Sequence, residues 1–413
     1  FFIDWSKLLI SFNNILPDCF NWILKHVSKT SEDVIPLCKY LASDPAFSVI
    51  EVKKAIGCYI FDSNNKKYLD FIAGVSACSL GHCHPKVIEA IKKQLDEYLH
   101  VMVYGEFILK PAVDLTKLLS QHLPVELDST YLTNSGTEAI EGAIKLARRY
   151  TGRKEIIGAN NAYHGSTLGA LTLMGKIENR KPFEPLIPEM NFINFNNLND
   201  IKKITFKTAG VILETIQGAA GFIEPEKDYL KLVSQKCKEV GALLILDEIQ
   251  PGIGRTCKLF GFENYICVPD IIVTGKGLGG GMPIGAFISS NKIMNTISNN
   301  PKLGHITTFG GNAVIAASAY QTLKIITEST LMNQTLSKEI LIRNKLKHPL
   351  IKEIRGKGLM LAIILKSPEI ADKLVIKCKE NGLLLFWLLI EKRAVRITPP
   401  LTISTKEILI GCN

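Results

Sequence analysis

A single lysine stands among glycines at the end of an apolar run. Residues 271–274 lead into Gly275, Lys276 and Gly277, and three more glycines follow at 279–281. Glycines let a backbone pass close to a flat ligand, and a lysine held in a dry site has a lowered pKa that makes its amine nucleophilic. This segment therefore predicts that Lys276 is a reactive amine.

The same glycines also suggest a rival interpretation. Gly275, Gly277 and Gly280 have the spacing of a dinucleotide-binding turn, which would indicate a nicotinamide-dependent dehydrogenase. That fingerprint must open a helix, whereas Met282-Pro283 and an apolar, strand-like run follow here. Neither serine nor threonine follows the lysine, so the segment is not a P-loop either. The dehydrogenase is therefore a remote alternative.

Small polar residues mark a second segment, Asn134-Ser135-Gly136-Thr137-Glu138-Ala139. A predicted strand ends there and a predicted helix begins. The unpaired N–H groups and the positive dipole end of a helix N-terminus bind phosphate. Taken alone, the segment is explained equally well as an ordinary helix cap.

Two carboxylates follow directly after a third apolar run. Residues 243–246 lead into Asp247, Glu248, Ile249 and Gln250. An aspartate at the end of a buried strand is costly unless it is paired, and a cationic ring nitrogen would supply the pairing. A helix cap or a metal ligand, with Mg²⁺ as the metal, is the alternative that this segment alone leaves open.

The three segments together form an anion cradle, a buried carboxylate and a reactive amine. Pyridoxal 5'-phosphate (PLP) needs these parts, because the carboxylate keeps the pyridine nitrogen protonated and lets the ring accept electrons. Lys276 would hold the cofactor as a Schiff base and, once displaced by substrate, move the proton. We therefore predict PLP as the cofactor, with Lys276 and Asp247 as the catalytic residues and no metal.

The elements that must position these residues alternate between strand and helix. Strands are predicted at 131–133, 155–159, 211–213, 242–246, 270–274 and 284–288, and helices at 136–150 and 229–240. Apolar strands that alternate with helices indicate an α/β fold with a mostly parallel sheet, whose ligands bind at the carboxyl ends of the strands. A hairpin over 51–70 and helices over 87–95 and 111–119 precede this region, and strands near 359–365 and 395–398 follow it.

Chain length favours more than one packed unit in these 413 residues. We expect an N-terminal extension of unknown role over 1–40, the first part of a small domain over 41–98, a large PLP-binding domain over 99–328 and the rest of the small domain over 329–413. The absence of an initiator methionine and the abrupt end suggest a fragment.

Composition excludes several function classes. The net charge is +10, but lysine is scattered without a dense basic block, so no nucleic-acid partner is predicted. Residues 1–24 contain no run of about 20 apolar residues such as a membrane span needs, and they match neither a signal nor a transit peptide. Ten cysteines without a CxxC pair favour free thiols in a reducing compartment, so we expect a cytoplasmic protein.

The order of the motifs resembles that of the class III (ornithine/acetylornithine-type) aminotransferases of PLP fold type I, from about residue 43 to the end. The matching motifs are Tyr68-Leu69-Asp70-Phe71, Leu80-Gly81-His82-Cys83-His84-Pro85, Asn134-Ser135-Gly136-Thr137-Glu138-Ala139, Tyr163-His164-Gly165, Glu214-Thr215-Ile216-Gln217-Gly218, Asp247-Glu248-Ile249-Gln250, Lys276-Gly277-Leu278-Gly279-Gly280-Gly281 and Thr308-Phe309-Gly310-Gly311-Asn312.

The resemblance implies a large domain with a mostly parallel seven-stranded sheet and a smaller α/β domain formed by the N- and C-terminal segments. It also implies roles for individual residues: Lys276 carries the Schiff base, Asp247 pairs with the pyridine nitrogen, Gln250 lies near the ring hydroxyl, Ser135, Gly136 and Thr137 hold the phosphate, Tyr163 stacks on the ring, His164 and Glu214 support the cofactor, and Thr308 reaches the phosphate of the neighbouring subunit. The last role implies a homodimer with sites at the interface.

Some of these residues have plain structural explanations when taken singly. Tyr163 could be core packing and Thr308 a turn residue. His82 and His84 fall in a turn that the family uses structurally, so we expect neither histidine to bind a metal.

The activity implied is transamination from an amino acid or ω-amine donor (acetylornithine-, ornithine- or 4-aminobutyrate-like) to a 2-oxo acid such as 2-oxoglutarate, in a ping-pong cycle. An amine or diamine:pyruvate transaminase is the alternative, as is a class III decarboxylase or aminomutase. A binding protein without activity is a third.

Two departures from the family pattern concern the substrate. Ala219 follows Gln217-Gly218 where many members have glutamate, and the arginine with which that glutamate pairs corresponds to Arg396. A buried arginine without a partner is costly, so Arg396 is a candidate for a substrate carboxylate, unless another acid pairs with it. Ser166 stands where many members have a second arginine, which favours a diamine or another ω-amine.

Overall fold

A meander of three short strands opens the part of the chain that the computed structural model describes, residues 50–413. Strands β1 (Val52–Ile56), β2 (Tyr59–Asp62) and β3 (Lys67–Asp70) pair antiparallel, as the predicted hairpin requires. Strand β3 also pairs, in parallel, with β13 (Leu383–Leu384) near the other end of the chain. The two ends of the described chain therefore share one sheet, while the predicted extension over 1–40 lies outside the described residues.

A seven-stranded sheet forms the centre of the fold. Its order is β4-β10-β9-β8-β7-β5-β6, and only β10 runs antiparallel to its neighbours. The predicted seven-stranded, mostly parallel sheet is thus confirmed. The strands are β4 (Ser129–Thr133), β5 (Glu155–Ala159), β6 (Met190–Ile193), β7 (Thr208–Glu214), β8 (Leu243–Asp247), β9 (Ile271–Gly275) and β10 (Gly285–Ser289).

A third sheet of order β11-β12-β15-β14 follows, with all its pairs antiparallel. Its strands are β11 (Ile351–Lys357), β12 (Met360–Leu365), β14 (Phe386–Trp387) and β15 (Ala394–Ile397). Strands β12 and β15 correspond to the two predicted strands. The domain boundaries at 98/99 and 328/329 stay predictions.

Twelve α-helical segments connect these strands within residues 50–413. They are α1 (Ala73–Ser76), α2 (Pro85–Glu97), α3 (Lys110–Gln121), α4 (Gly136–Thr151), α5 (Leu168–Thr172), α6 (Ile177–Arg180), α7 (Tyr229–Val240), α8 (Asn291–Met294), α9 (Ala313–Glu328), α10 (Leu331–Lys345), α11 (Pro368–Glu380) and α12 (Thr405–Cys412). None of these described helices has the length and apolar character that a bilayer crossing demands.

Helix α4 packs closely on the sheet. Its buried face, which includes Ile140, Ala143 and Leu146, joins the main hydrophobic core with strands β8, β9 and β10. A Cβ atom on Gly142 would lie 2.3 Å from Cε1 of Phe287 on β10, so only glycine permits this approach. The packing brings the N-terminus of α4 to the edge where the parallel strands end.

Candidate active site

Four strands of the central sheet end at one edge, and a candidate segment follows each of them. Strand β4 ends at Thr133, β7 at Glu214, β8 at Asp247 and β9 at Gly275. Glu214 and Asp247 are direct neighbours in the register of β7 and β8. The separate sequence segments are therefore brought together by the parallel topology.

Lys276 occupies a strained position immediately after β9. Its φ of 40° lies in the left-handed region, which a non-glycine residue adopts at a cost, and it begins a 3-10 turn over Lys276–Gly279. Burial lowers the pKa of the Lys276 amine; Asp247 and Glu214 act in the opposite direction, whereas Arg396 lowers it further. The net decrease favours the free amine, as a nucleophile needs.

Asp247 is held by two donors at the end of β8. Its Oδ2 lies 2.7 Å from Nδ1 of His164, and its Oδ1 accepts a hydrogen bond from the N–H of Ile249 at 2.9 Å. Burial opposes protonation of His164, but the hydrogen bond to Asp247 and the negative charges of Asp247 and Glu214 together outweigh burial and raise the histidine pKa. Nε2 of His164 is buried without a partner among the described residues, which leaves one polar atom of the site unsatisfied.

Glu214, next to Asp247 in the sheet, joins two loops. Its Oε1 accepts from the N–H of Gly218 at 2.9 Å and its Oε2 from the N–H of Tyr163 at 3.3 Å. Burial raises the pKa of Glu214 to about 7. A Cβ on Gly218 would lie 3.1 Å from both Glu214 Oε1 and Gln250 Oε1, which places Gln250 at the same site.

The second carboxylate after β8, Glu248, faces elsewhere. It is fully buried and accepts hydrogen bonds from Oγ1 of Thr215 and from the N–H groups of Gly261 and Phe262, at 2.5–2.8 Å. Asp247 and Glu248 thus have separate partners, and the geometry does not favour the magnesium alternative for this pair.

The cradle at the start of α4 touches the lysine turn. Ser135 caps the helix, its Oγ accepting from the N–H of Glu138 at 3.3 Å. A Cβ on Gly275 would lie 3.6 Å from Cα of Gly136. Gly165, with φ of 136°, lies so close to Thr137 that a Cβ there would be 2.2 Å from its Oγ1. The loop 163–165 therefore rests on the cradle.

Two residues that the sequence did not single out orient this cradle. Oγ1 of Thr137 lies 2.7 Å from Oγ1 of Thr167, whose hydroxyl donates to Oε1 of Glu141 at 2.6 Å. Both residues act through tertiary contacts, and no motif or spacing signals them.

Arg396 lies on β15 with 8% of its surface exposed. Its Nε donates to the carbonyl of Trp387 at 3.2 Å, whereas Nη1 is buried without a partner and no acid of the described residues forms an ion pair with it. Burial lowers its pKa to about 10. Of the two alternatives left open by the sequence, pairing with another acid is not seen among the described residues, and the role of Arg396 stays a prediction.

The remaining candidates lie at the rim. Tyr163 is half-buried, and its hydroxyl lies 3.3 Å from Oγ of Ser166, which is exposed. Thr308 is exposed on residues 298–312, between α8 and α9. The structure thus brings together every predicted site residue except Thr308, whose predicted role concerns a second subunit.

The arrangement suits a flat, anionic ligand with a basic ring nitrogen and a carbonyl. Asp247 can face a cationic nitrogen, the start of α4 can hold a phosphate, and the Lys276 amine can condense with an aldehyde. Two buried nitrogens have no partner among the described residues, Nε2 of His164 and Nη1 of Arg396. Both can donate a hydrogen bond to a bound ligand. The dinucleotide alternative does not fit, because the 3-10 turn at Lys276 leads to β10 and not to an α-helix.

Comparison with known families gives a consistent result. The family model described as aminotransferase class III matches residues 40–413. An acetylornithine aminotransferase of Clostridium acetobutylicum is 38% identical over 371 residues, which cover 86% of this chain and 92% of that protein. A [LysW]-aminoadipate semialdehyde/glutamate semialdehyde transaminase of Sulfolobus acidocaldarius is 37% identical over 320 residues, covering 76% and 81%.

A similar solved structure is that of the ornithine aminotransferase of Toxoplasma gondii, crystallised with oxidised glutathione and partly occupied by PLP at its active site. It superposes with a TM-score of 0.83 at 30% sequence identity and covers 96% of each chain.

Proposed function

The chain belongs to the class III aminotransferases, and we propose that it moves an amino group from the terminal amine of an acetylornithine-, ornithine- or 4-aminobutyrate-like donor to a 2-oxo acid such as 2-oxoglutarate. The observation that carries this proposal is the Lys276 amine, whose pKa is lowered, at the same strand edge as Asp247. We also propose a ping-pong cycle, in which the product of the amino donor leaves before the 2-oxo acid binds.

PLP is the cofactor of this class, and the residues present fit it. The start of α4, with Ser135, Gly136 and Thr137, would hold its phosphate. Asp247, oriented by His164, would face the ring nitrogen, Tyr163 the ring and Gln250 the ring hydroxyl, with Glu214 beneath them. When bound, PLP supplies an electron sink for the substrate carbon that carries the amino group.

The chain's own contribution is to hold charges and move a proton. Burial lowers the pKa of the Lys276 amine, which favours the free amine that can take a proton from the substrate carbon and return it. Asp247 keeps its orientation because two donors, on His164 and Ile249, fix its oxygens. Burial of these groups excludes water and strengthens their electrostatic effect.

Arg396 is proposed to bind the carboxylate of the substrate. Its guanidinium is buried, acts on Lys276 electrostatically and lacks an acidic partner among the described residues. Ala219, where many family members have glutamate, has no carboxylate that could pair with Arg396. Ser166, which contacts Tyr163, offers a hydroxyl in place of a second guanidinium. A site with one arginine available for a carboxylate favours an acceptor or donor that has one carboxylate. An amine or diamine:pyruvate transaminase is therefore the second candidate.

We propose a cytoplasmic homodimer. An apolar cavity of about 840 Å³ lies between 103–116 and 294–311, and its rim includes Phe107 (56% exposed), Ile108 (87%) and Leu303 (52%). A second copy of the chain would cover this surface, next to Thr308. The eight cysteines among the described residues are free, which supports a reducing compartment.

The test is a donor panel assayed with 2-oxoglutarate and with pyruvate on protein reconstituted with PLP. Borohydride reduction and peptide mapping are run in parallel, with Lys276→Ala as the control. We expect amino transfer from ω-amine donors and a pyridoxyl tag on Lys276. A tag on another lysine refutes the assigned site. Tagged Lys276 without transfer to either acceptor refutes transamination and points to a decarboxylase or aminomutase.

A further inference from the structure

We propose that Lys145 and Arg149, on helix α4, position the segment that completes the cofactor site of the neighbouring subunit. The inference rests on the proposed function, in which Thr308 of one subunit reaches the phosphate held by the other. Thr308 lies in residues 298–312, all of them described, which form neither helix nor strand. Some other structure must therefore fix this segment.

Side chains of α4 supply that support. Nζ of Lys145 donates to the carbonyl of Gly304 at 2.9 Å. Arg149 donates from Nε to the carbonyl of Thr296 at 3.1 Å and from Nη2 to that of Asn299 at 3.0 Å. A further donor comes from β4, where the Tyr131 hydroxyl bonds to the carbonyl of His305 at 2.7 Å.

Both side chains can donate to these carbonyls without competition from an acidic residue in the described part of the chain. Neither Lys145 nor Arg149 forms an ion pair with any described residue. Hydrogen bonds from charged donors are stronger than neutral ones. Two of the bonded carbonyls, on Thr296 and Asn299, lie in and just beyond the 3-10 turn Asn295–Ile297, where carbonyls lack helical partners.

The geometry of α4 links two cofactor sites. Lys145 and Arg149 are four residues apart and so lie on one face of the helix. Gly136, at the other end, belongs to the subunit's own phosphate cradle, about 20 Å from Arg149 at the rise of an α-helix. The N-terminus of α4 thus belongs to the phosphate cradle of its own subunit. The C-terminal half of the same helix holds the segment that contributes Thr308 to the site of the partner subunit.

Heterodimers distinguish an effect of Arg149 on the cofactor site of the partner subunit from an effect on the site of its own subunit. Two chains with different affinity tags are co-expressed, and Lys276→Ala in one chain leaves a single Lys276 site per dimer. In the first arrangement, Arg149→Ala is on the Lys276→Ala chain, so the intact site receives Thr308 from a loosened segment. In the second, Arg149→Ala is on the chain with Lys276, so its site receives Thr308 from an intact segment.

The measurement is PLP release, followed as the loss of borohydride-reducible label on Lys276 after dilution into a PLP scavenger. Loss of one or two hydrogen bonds predicts about threefold to tenfold faster release in the first arrangement. The second arrangement should match the parent heterodimer. Arg149→Lys, which keeps a charged donor, should restore part of the difference, as a general loss of stability would not.

Arg148→Ala is the matched control. Arg148 lies on the same helix and also bonds to carbonyls, those of Lys154 and Pro188, but it bonds neither to the segment 298–312 nor to Thr296. Its effect should not depend on the arrangement. Thr308→Ala tests the premise: if it shows no dependence on arrangement, the proposed intersubunit site fails. If Thr308→Ala shows the dependence and Arg149→Ala does not, only the positioning role is refuted.

Discussion

The Lys276 amine lies among charges of both signs. Asp247 and Glu214 favour its ammonium form, while burial and Arg396 favour the free amine. Because these influences oppose one another, each substitution in the set should move the reactivity of Lys276 in a direction that can be worked out in advance.

Arg396→Gln should shift the reaction of the apo enzyme's Lys276 with an amine-directed reagent to higher pH. Removal of a neighbouring positive charge stabilises the ammonium, so the lysine pKa rises and less free amine is present at a given pH. The pH–rate profile is read by mass spectrometry of the Lys276 peptide. Arg393→Gln, which removes an arginine paired with Glu391, should leave the pH–rate profile of Lys276 unchanged. A shift to lower pH would contradict the charge arrangement.

Arg396→Ala should raise KM for the oxo acid at least about tenfold, because a charged donor to the substrate carboxylate is lost, with a smaller effect on kcat. Steady-state kinetics with 2-oxoglutarate and pyruvate measure this, again with Arg393→Ala as the control. An unchanged KM for both acceptors would show that Arg396 does not bind the substrate carboxylate.

The catalytic pair was predictable from residue types, since a lysine among glycines and an aspartate after an apolar run both need a special environment. The structure places both at one strand edge. Glu141 and Thr167 were not predictable, because ordinary helix and loop positions acquire their role only when α4 and the loop after residue 163 come into contact.

At the scale of elements, the approach of α4 to the sheet decides where the cradle lies. Most strands of the central sheet were predicted to within a few residues, because apolar runs bounded by glycine or charge are a strong signal. Strand β11 was missed because it is rich in charged residues, and α10 because its buried positions include Lys338 and Glu339.

Gly142→Ala should destabilise the apo protein by about 1–3 kcal/mol, the usual cost of overpacking, although alanine favours a helix by about 1 kcal/mol. The added Cβ meets the ring of Phe287, which cannot move aside because it is fully buried and stacked on Tyr131. Thermal unfolding measures the loss, and Phe287→Leu in the same chain should recover part of it. A variant as stable as the parent would show that α4 can shift.

For the whole molecule, the apolar cavity near Thr308 is the surface that we propose to bind a second copy of the chain. Apolar side chains exposed together on this scale mark an interaction surface. Residues 103–116 and 294–311 both contribute to it, so the surface proposed to bind a second copy also carries the segment proposed to complete the partner's site.

Ile108→Asp should convert the proposed dimer to a monomer and weaken PLP retention, since an unpaired charge buried at the proposed interface is costly. Sedimentation velocity gives the assembly state. Ile266→Asp is the matched control, because Ile266 is 90% exposed and Ile108 is 87% exposed, but Ile266 lies outside the cavity. Dissociation by both variants, or by neither, would place the interface elsewhere.

The pairing of β3 with β13 has a consequence for biosynthesis. The Lys66 side chain donates a hydrogen bond to the carbonyl of Glu380, 314 residues away, so the first sheet acquires β13 only after the chain has been translated through Leu384. At bacterial to eukaryotic elongation rates, that delay is roughly 15–60 s. Throughout this delay, the β3 edge of the nascent meander lacks its partner strand on the ribosome, where a chaperone has the opportunity to shield it.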